Sequence, residues 1–403
     1  MFMKSEGSGR RLIIILVAVG LFVSLLTAFI LIISLGKPPM VAGQPRGVIN
    51  QEKSAVSFAW PGQGQASIGT LDSGLKATLG DDSPHPIASL AKLITALVVL
   101  EVRPLDGSGP MISITNTDVQ LYQANLPING SSLYVETGEQ LSQRQMLEAL
   151  MVLSANNVAE TLVRWAFGSF DDYKTAAERW LGENGLHDTT IGNDASGLDP
   201  GTTSTTTDLF KLAQLALKNP VLREIMKLES VDLPMVGTVK NTNFLLRDGP
   251  GYIGIKTGNS DEAGSCLIFA YEQTIGKSEV IVIGTLTGQS MGSTFDTARG
   301  LTQSAISSLA EYKIPAGTVV GQYQIPWGWL LNATTRQDVT GVIWRDEDPN
   351  LDIVLDTLTA PFYGHDHVGA ASFGNQSTNV MLDGVIPLPD LIWRIKNLPS
   401  LRW

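Results

Sequence analysis

The sequence predicts an α+β domain, an antiparallel sheet flanked by helices, between an N-terminal transmembrane helix and a small C-terminal β domain. Three observations predict it: an uncharged apolar run near the N-terminus, strand-like runs that bracket a helical middle, and loss of helical pattern beyond Ile314. At 403 residues the chain exceeds one ordinary domain and suits two folded units plus an appendage.

Every position from 12 to 36 is uncharged and most are Leu, Ile, Val, Phe or Ala, enough to span a bilayer as a helix. Lys4, Arg10 and Arg11 precede this run, opposed only by Glu6. The positive-inside bias therefore makes residues 1–11 a cytoplasmic tail, residues 12–36 a single-pass anchor, and everything after Lys37 extracytoplasmic. A cleavable signal peptide is the competing reading. Its apolar core is shorter, roughly 7–15 residues, and the small-residue exit site here is only Val41-Ala42-Gly43. Residues 37–55, rich in Pro, Gly and Gln without helical or strand periodicity, read as a linker.

Residues 56–312 form the predicted main domain. Strand-like runs at 56–60 and 66–71 lead into helical stretches at 89–102, 142–155, 157–167 and 170–184. Strand character returns at 252–256, 266–272 and 279–287, joined by turn-like segments that suit antiparallel pairing, and residues 296–311 read as a closing helix. In residues 313–403, Pro, Gly and Thr punctuate β-branched runs at 321–325, 340–344 and 353–358, the pattern of a separate β domain. The stretch 386–403, with Trp393 and Trp403, reads as edge packing ahead of membrane-surface contact.

The formal charge of −11 without a basic run excludes nucleic acid as a partner, because phosphate neutralisation needs clustered Lys and Arg. Cys266 is the one cysteine, so no intrachain disulfide exists, and its apolar run Ser265-Cys266-Leu267-Ile268-Phe269-Ala270 makes it a packing residue. His365-Asp366-His367 falls in the predicted β domain, remote in sequence from any nucleophile candidate, and no metal or cofactor is assigned.

Three short motifs carry chemistry. Ser89-Leu90-Ala91-Lys92 opens a helix, which places the Ser89 hydroxyl and the Lys92 amine one turn apart on one face. A serine needs a neighbour to take its proton, and a lysine can do so only where burial or a nearby cation keeps it neutral. Ser154-Ala155-Asn156 adds a hydroxyl and an amide at a helix end, and Lys256-Thr257-Gly258 ends a strand-like run with a cation, a hydroxyl and a residue lacking Cβ. Such an edge suits an extended peptide with a terminal carboxylate. Each motif alone equally fits a helix cap, a helix end or a turn.

In this order and setting the three motifs resemble the penicillin-binding proteins and class A β-lactamases. Segments from Ile87 to Thr95, Ser154 to Glu160, Asp194-Ala195-Ser196-Gly197-Leu198, Ser204 to Leu209, and Ile255-Lys256-Thr257-Gly258 with Ala263-Gly264 are similar to the low-molecular-mass D-alanyl-D-alanine carboxypeptidases of peptidase family S11. The resemblance covers residues 56–310 well and continues more loosely through Pro315-Ala316-Gly317-Thr318 and Gly321. It implies a β-lactamase/transpeptidase-like domain followed by a small β-sandwich. It also implies a peptidoglycan stem peptide as substrate, β-lactam antibiotics as covalent inhibitors, and no metal or cofactor.

Carried over by residue, the resemblance makes Ser89 the nucleophile, Lys92 its general base, and Ser154 with Lys256 a proton relay to the leaving amine. Asn156 would hold the substrate amide and Thr257 the terminal carboxylate, with Gly258 and Asn259 also binding substrate. Backbone N–H groups of Ser89 and Asn259 would form an oxyanion hole, a device worth about 3–4 kcal/mol. Two departures stand out: Asn259 follows the K-T-G motif where the family often has His, and the family's carboxylate-binding arginine falls at Ser293, with Arg299 nearby. D,D-endopeptidase action on cross-links would use the same site. A β-lactamase would need a deacylating glutamate, and Glu183 falls in the right region without completing the surrounding motif. A non-catalytic wall-binding protein would have no chemical reason to keep all of Ser89, Lys92, Ser154, Asn156, Lys256 and Thr257.

Overall fold

The computed structural model describes residues 6–35, 39–47, 49, 52–364 and 367–397. Helix α1 (Glu6–Leu35) contains the stretch Gly9–Leu31, which is long and apolar enough to cross a membrane and has none of its surface buried. Beyond it the chain divides into two compact units. One comprises Lys53–Glu311 with Val342–Glu347, the other Met1–Glu52 with Tyr312–Gly341 and Asp348–Trp403.

Apart from three short two-stranded ladders within the helical region, the strands in chain order are β1 (Met40–Val41), β2 (Gly43–Pro45), β3 (Gln65–Thr70) and β4 (Gly74–Leu79) before the helices, then β5 (Tyr252–Ser260), β6 (Gly264–Ile275) and β7 (Ser278–Gln289). After these come β8 (Leu309–Ile314), β9 (Val319–Gln324), β10 (Leu330–Thr335), β11 (Val339–Trp344), β12 (Asp352–Leu355), β13 (Leu358–Thr359), β14 (His367–Phe373) and β15 (Gln376–Leu382). The helices are α2 (Ala91–Val102), α3 (Asn116–Asn125), α4 (Gln143–Glu148), α5 (Asn156–Phe167), α6 (Phe170–Glu183), α7 (Thr206–Lys218), α8 (Pro220–Met226), α9 (Thr294–Ser308) and α10 (Leu391–Lys396).

The unit containing the C-terminal residues is built on a six-stranded antiparallel sheet in the order β12-β14-β15-β10-β9-β2. Its edge strand β2 corrects the reading of residues 37–55 as a structureless linker: Gly43–Pro45 pair with Tyr323, Gln322 and Gly321, and Met40–Val41 pair with β13. Composition hid this because a glycine is what the pairing requires. A Cβ at Gly43 would lie 2.6 Å from Leu355 Cβ and 2.9 Å from the Tyr323 ring. Tyr323 is buried and its hydroxyl donates to the Asp356 and Val368 carbonyls, which anchors β9 across the sheet. In α10 the Trp393 ring meets Trp327 edge-on at 5.1 Å and its Nε1–H donates to the Pro326 carbonyl, so Trp393 packs as expected. Trp403 and the His365-Asp366 pair lie outside the described residues.

In the larger unit the five-stranded antiparallel sheet runs β5-β6-β7-β3-β4, with β5 at an edge. Both faces are covered. Along β6, Ile268 and Ala270 face the layer formed by α2, α5, α6, α7 and α8, while Leu267 and Phe269 face Ala298, Leu301 and Ala305 of α9. This two-residue alternation between two dry faces explains the unbroken apolar run around Cys266. Helix α2 is buried from Ala91 to Leu100, the centre of the helical layer.

Three expectations need correction. Residues 56–60 join no ladder; Phe58 and Trp60 instead meet each other edge-on, and Phe58 meets Trp344. The helix expected over 142–155 stops at Glu148 and passes through one π-turn, Ala149–Leu153, before Ser154. The closing helix ends at Ser308, where an alternating buried–exposed pattern ahead of Pro315 makes residues 309–314 a strand. Helices α3, α7 and α8 come without any expectation, although Thr205 caps α7 ahead of the stripe Leu209, Leu212, Ala213 and Ala216.

Phe269 fills the sheet–α9 interface beneath Gly284, where a Cβ would come within 2.1 Å of its ring. Phe269→Ala should destabilise the protein by about 3–5 kcal/mol. Urea unfolding of the detergent-solubilised chain measures it, and a loss under ~1 kcal/mol would mean that the interface is not close-packed.

Candidate active site

The turn before α2 presents the first pair. Ala88 takes a positive φ of 47° and a 3₁₀ turn, Ala88–Leu90, places Ser89 at the head of the helix. The Lys92 amine, one turn on, lies 2.7 Å from Ser89 Oγ and donates to the Ser196 carbonyl at 2.9 Å. Lys92 is wholly buried. Burial holds its pKa well below the usual lysine range, the Lys256 charge lowers it further, and Asp194 and Glu160 oppose both. A neutral amine in this position can accept the Ser89 proton.

The second pair comes from elements far apart in the chain. The π-turn delivers Ser154 in a left-handed conformation, φ 63°, and Ser154 Oγ lies 2.9 Å from the Lys256 amine on β5. Lys256 also donates to its neighbour's carbonyl, Thr257 O, and burial pushes its pKa down to about 7. Asn156 is buried at the start of α5, with its amide Nδ2 donating to Asn125 Oδ1.

Glycine brings the two pairs together. At Gly258 a Cβ would sit 2.8 Å from the Ile87 carbonyl and 3.0 Å from the Ser89 nitrogen, so any side chain there would part β5 from the Ser89 turn. On the other side Gly197, φ 80°, brings its backbone against Ala88, where a Cβ would lie 2.0 Å from the carbonyl oxygen. Thr257 Oγ1 shares a 2.8 Å hydrogen bond with Thr242 Oγ1, and Asn259 is exposed.

Ser89, Ser154, Asn156, Thr257, Gly258 and Asn259 all line one cleft of about 820 Å³, with the two lysine amines buried beneath it. Thus all eight residues expected to act together do converge. The outer edge of β5 borders this cleft, where an extended peptide can add to the sheet. Phe244, Phe295 and Met291 give its far wall an apolar surface.

Neither arginine candidate supplies a cation. Ser293 sits before α9 with its hydroxyl donating to the Ser290 carbonyl, and Arg299 is tied to Asp248 and Asp296 away from the cleft, whose lining includes no Lys, Arg or His among the described residues. Glu183 lies on the exposed face of α6 near Arg179 and does not line the cleft. Cys266 is buried, with its thiol pushed up to about 11 by burial. No group of three metal-type ligands occurs among the described residues. Sequence reasoning placed Glu160 and Ser196 in segments similar to the family but gave them no role; Ser196 meets Lys92 through its carbonyl and Glu160 reaches the pair through the folded loop at 194–199.

The sequence profile of the D-alanyl-D-alanine carboxypeptidase family, Peptidase S11, matches residues 77–287. The chain is 30% identical over 210 residues to a D-alanyl-D-alanine carboxypeptidase of Streptomyces sp. strain K15, covering 48% of this chain and 70% of that one. It is 30% identical over 194 residues to a D-alanyl-D-alanine endopeptidase of Haemophilus influenzae, covering 47% and 63%. The crystal structure of the Streptomyces K15 DD-transpeptidase superposes with a TM-score of 0.55 at 25% identity, over 64% of this chain and all of the other.

The depressed Lys256 pKa ties stability to pH. Between about 7 and 10.5 the unfolded chain holds a proton that the folded Lys256 has lost, so the Lys256 contribution raises stability with pH by up to about 1.4 kcal/mol per unit. Below about 7 both states are protonated and the burial penalty is complete. Lys256→Met should flatten the unfolding free energy of the protein between pH 7 and 9 relative to wild type; parallel pH curves would contradict the depressed pKa.

Proposed function

Because the chain belongs to the D-alanyl-D-alanine carboxypeptidase family, Peptidase S11, and is a serine-type hydrolase of that family, we propose that it removes the terminal D-alanine from peptidoglycan stem pentapeptides through an ester on Ser89. The observation that carries this reading is the buried Lys92 amine 2.7 Å from Ser89 Oγ. Lys92 takes the hydroxyl proton as Ser89 Oγ attacks the carbonyl carbon between the two D-alanines. Ser154, backed by Lys256, protonates the departing nitrogen, the C–N bond breaks, and free D-alanine leaves. Water then opens the ester and restores Ser89.

Asn156 holds the substrate amide, the strand edge at Gly258 and Asn259 pairs with its backbone, and Thr257 binds the terminal carboxylate. The N–H groups of Ser89 and Asn259 stabilise the oxyanion. A β-lactam offers Ser89 the same kind of amide, but its nitrogen stays tethered to the acyl group, so the ester persists. Slow loss of that ester fits a cleft that Glu183 does not line.

A second reading, D,D-endopeptidase action on cross-links, is favoured by two observations: a relative named endopeptidase, and an apolar wall of Phe244, Phe295 and Met291 without a basic residue for a small carboxylate product. We assign catalysis to the unit of Lys53–Glu311 with Val342–Glu347, which moves residues 342–347 out of the C-terminal domain expected over 313–403. The apolar run over residues 12–36 is read as an anchor that keeps residues 1–11 in the cytoplasm and delivers the cleft to the wall.

Incubation with a muramyl pentapeptide and with cross-linked dimers, followed by mass analysis, separates the readings: loss of one D-alanine is expected, and cleaved dimers with intact pentapeptide would favour the endopeptidase. Ser89→Ala should abolish covalent labelling by a fluorescent penicillin, and labelling that survives would overturn the nucleophile assignment.

A further inference from the structure

Two buried lysines share this site, and among the described residues neither has a carboxylate bonded to it. The acids nearest in charge to Lys92 are Asp194 and Glu160. They are used differently. Asp194 is consumed by its own loop: Oδ1 accepts from Ser196 N, Ser196 Oγ, Gly197 N and Leu198 N, and Oδ2 from Asp199 N. Glu160, one turn past Asn156 on α5, makes one hydrogen bond among the described residues, with Oε1 accepting from Ala195 N at 2.9 Å.

That contact sits at a junction. The Ala195 carbonyl accepts from Thr95 Oγ1 on α2, and the next carbonyl, Ser196 O, accepts from the Lys92 amine. Thr95 in turn shares a hydrogen bond with the Tyr173 hydroxyl of α6. Ala195 is therefore clamped from α5 and α2 at once, one residue before the oxygen that orients the general base. The charged or titratable groups facing Glu160 are Lys92 from α2, Asp194 from the loop and Tyr173 from α6, with Lys256 of β5 beyond Lys92.

We propose that Glu160 is a positioning residue for the Ser89–Lys92 pair: it clamps Ala195 so that the Ser196 carbonyl holds the Lys92 amine on Ser89, and it supplies a partly buried negative charge close to that amine. This rests on the reading of Ser89 as nucleophile and Lys92 as base. The two roles separate by substitution. Glu160→Gln keeps an oxygen for Ala195 N–H and removes the charge; Glu160→Val removes both and leaves the Ala195 N–H buried without a partner. Burial raises the Glu160 pKa and the Lys92 charge opposes this, as expected of a carboxyl that shares its field with a lysine.

The test is the rate of Ser89 acylation by a fluorescent penicillin, measured against pH with the full chain in detergent. An anion favours protonated Lys92, so its removal lowers the pKa of the base: Glu160→Gln should keep the wild-type plateau and move the acid limb down by several tenths of a pH unit. Glu160→Val should lower the plateau at least about tenfold, short of the roughly hundredfold that a 1 Å misplacement costs. A Gln profile that superimposes on wild type overturns the charge role, and a Val plateau equal to wild type overturns the positioning role. Should the Val variant not fold, Glu160→Asp, which keeps the charge but withdraws the oxygen from Ala195 N–H, takes its place, and a plateau equal to wild type overturns the positioning role. A wild-type protein that is never acylated at Ser89 overturns the underlying reading instead, a result distinct from acylation whose pH limb ignores Glu160.

Discussion

Two lysine amines removed from water, each within hydrogen-bonding distance of a serine hydroxyl, are the constraint on which the rest of this structure depends. An ammonium ion in the interior costs several kcal/mol unless it is paired, and among the described residues no carboxylate touches either amine. The fold lowers the proton affinity of both amines instead. Burial lowers both pKa values, and the charge of Lys256 lowers that of Lys92 further. The same desolvation that penalises the fold makes Lys92 a base and Lys256 a group that can hold or release a proton near neutral pH.

Keeping those amines dry requires the surrounding architecture. A five-stranded sheet covered on both faces places Lys256 under the helical layer, and the fully buried helix α2 carries Lys92 into the same interior. The serines must nevertheless reach the surface. Ser89 does so from a turn entered through the positive φ of Ala88, and Ser154 from a left-handed residue after a π-turn. Non-glycine residues held in this region are the local strain that a well-packed neighbourhood can impose at a site. Gly258 and Gly197 then let backbone close on the Ser89 turn from two sides without a Cβ in the way.

Much of this was legible in the sequence. The anchor run, the helix after Ser89, the three consecutive strands and the K-T-G edge follow from hydropathy and periodicity, and the structure has them at nearly the expected positions. Misreadings cluster where tertiary pairing overrules local pattern. Residues 43–45 look like a tether because the glycine needed beside Tyr323 is also a linker residue. Residues 56–60 look like a strand because their apolar side chains pack, although their backbone joins no ladder. The break in the helix before Ser154 carries no glycine or proline to mark it.

By itself the sequence determined which groups we propose carry the chemistry: hydroxyls at Ser89 and Ser154, amines at Lys92 and Lys256, and a strand edge free of side-chain bulk at Gly258. These depend on residue identity and short spacing, which survive without coordinates. Only the tertiary structure decided the state of those groups. Whether a lysine is a solvated cation or a neutral base depends on burial and on charges distant in the chain, and Glu160, Asp194 and Ser196 reach Lys92 only when α5 and the 194–199 loop fold against α2. The absence of a cation from the cleft lining is a decision of the same kind, since Arg299 stands six residues from Ser293 in sequence yet spends its charge on Asp248 and Asp296.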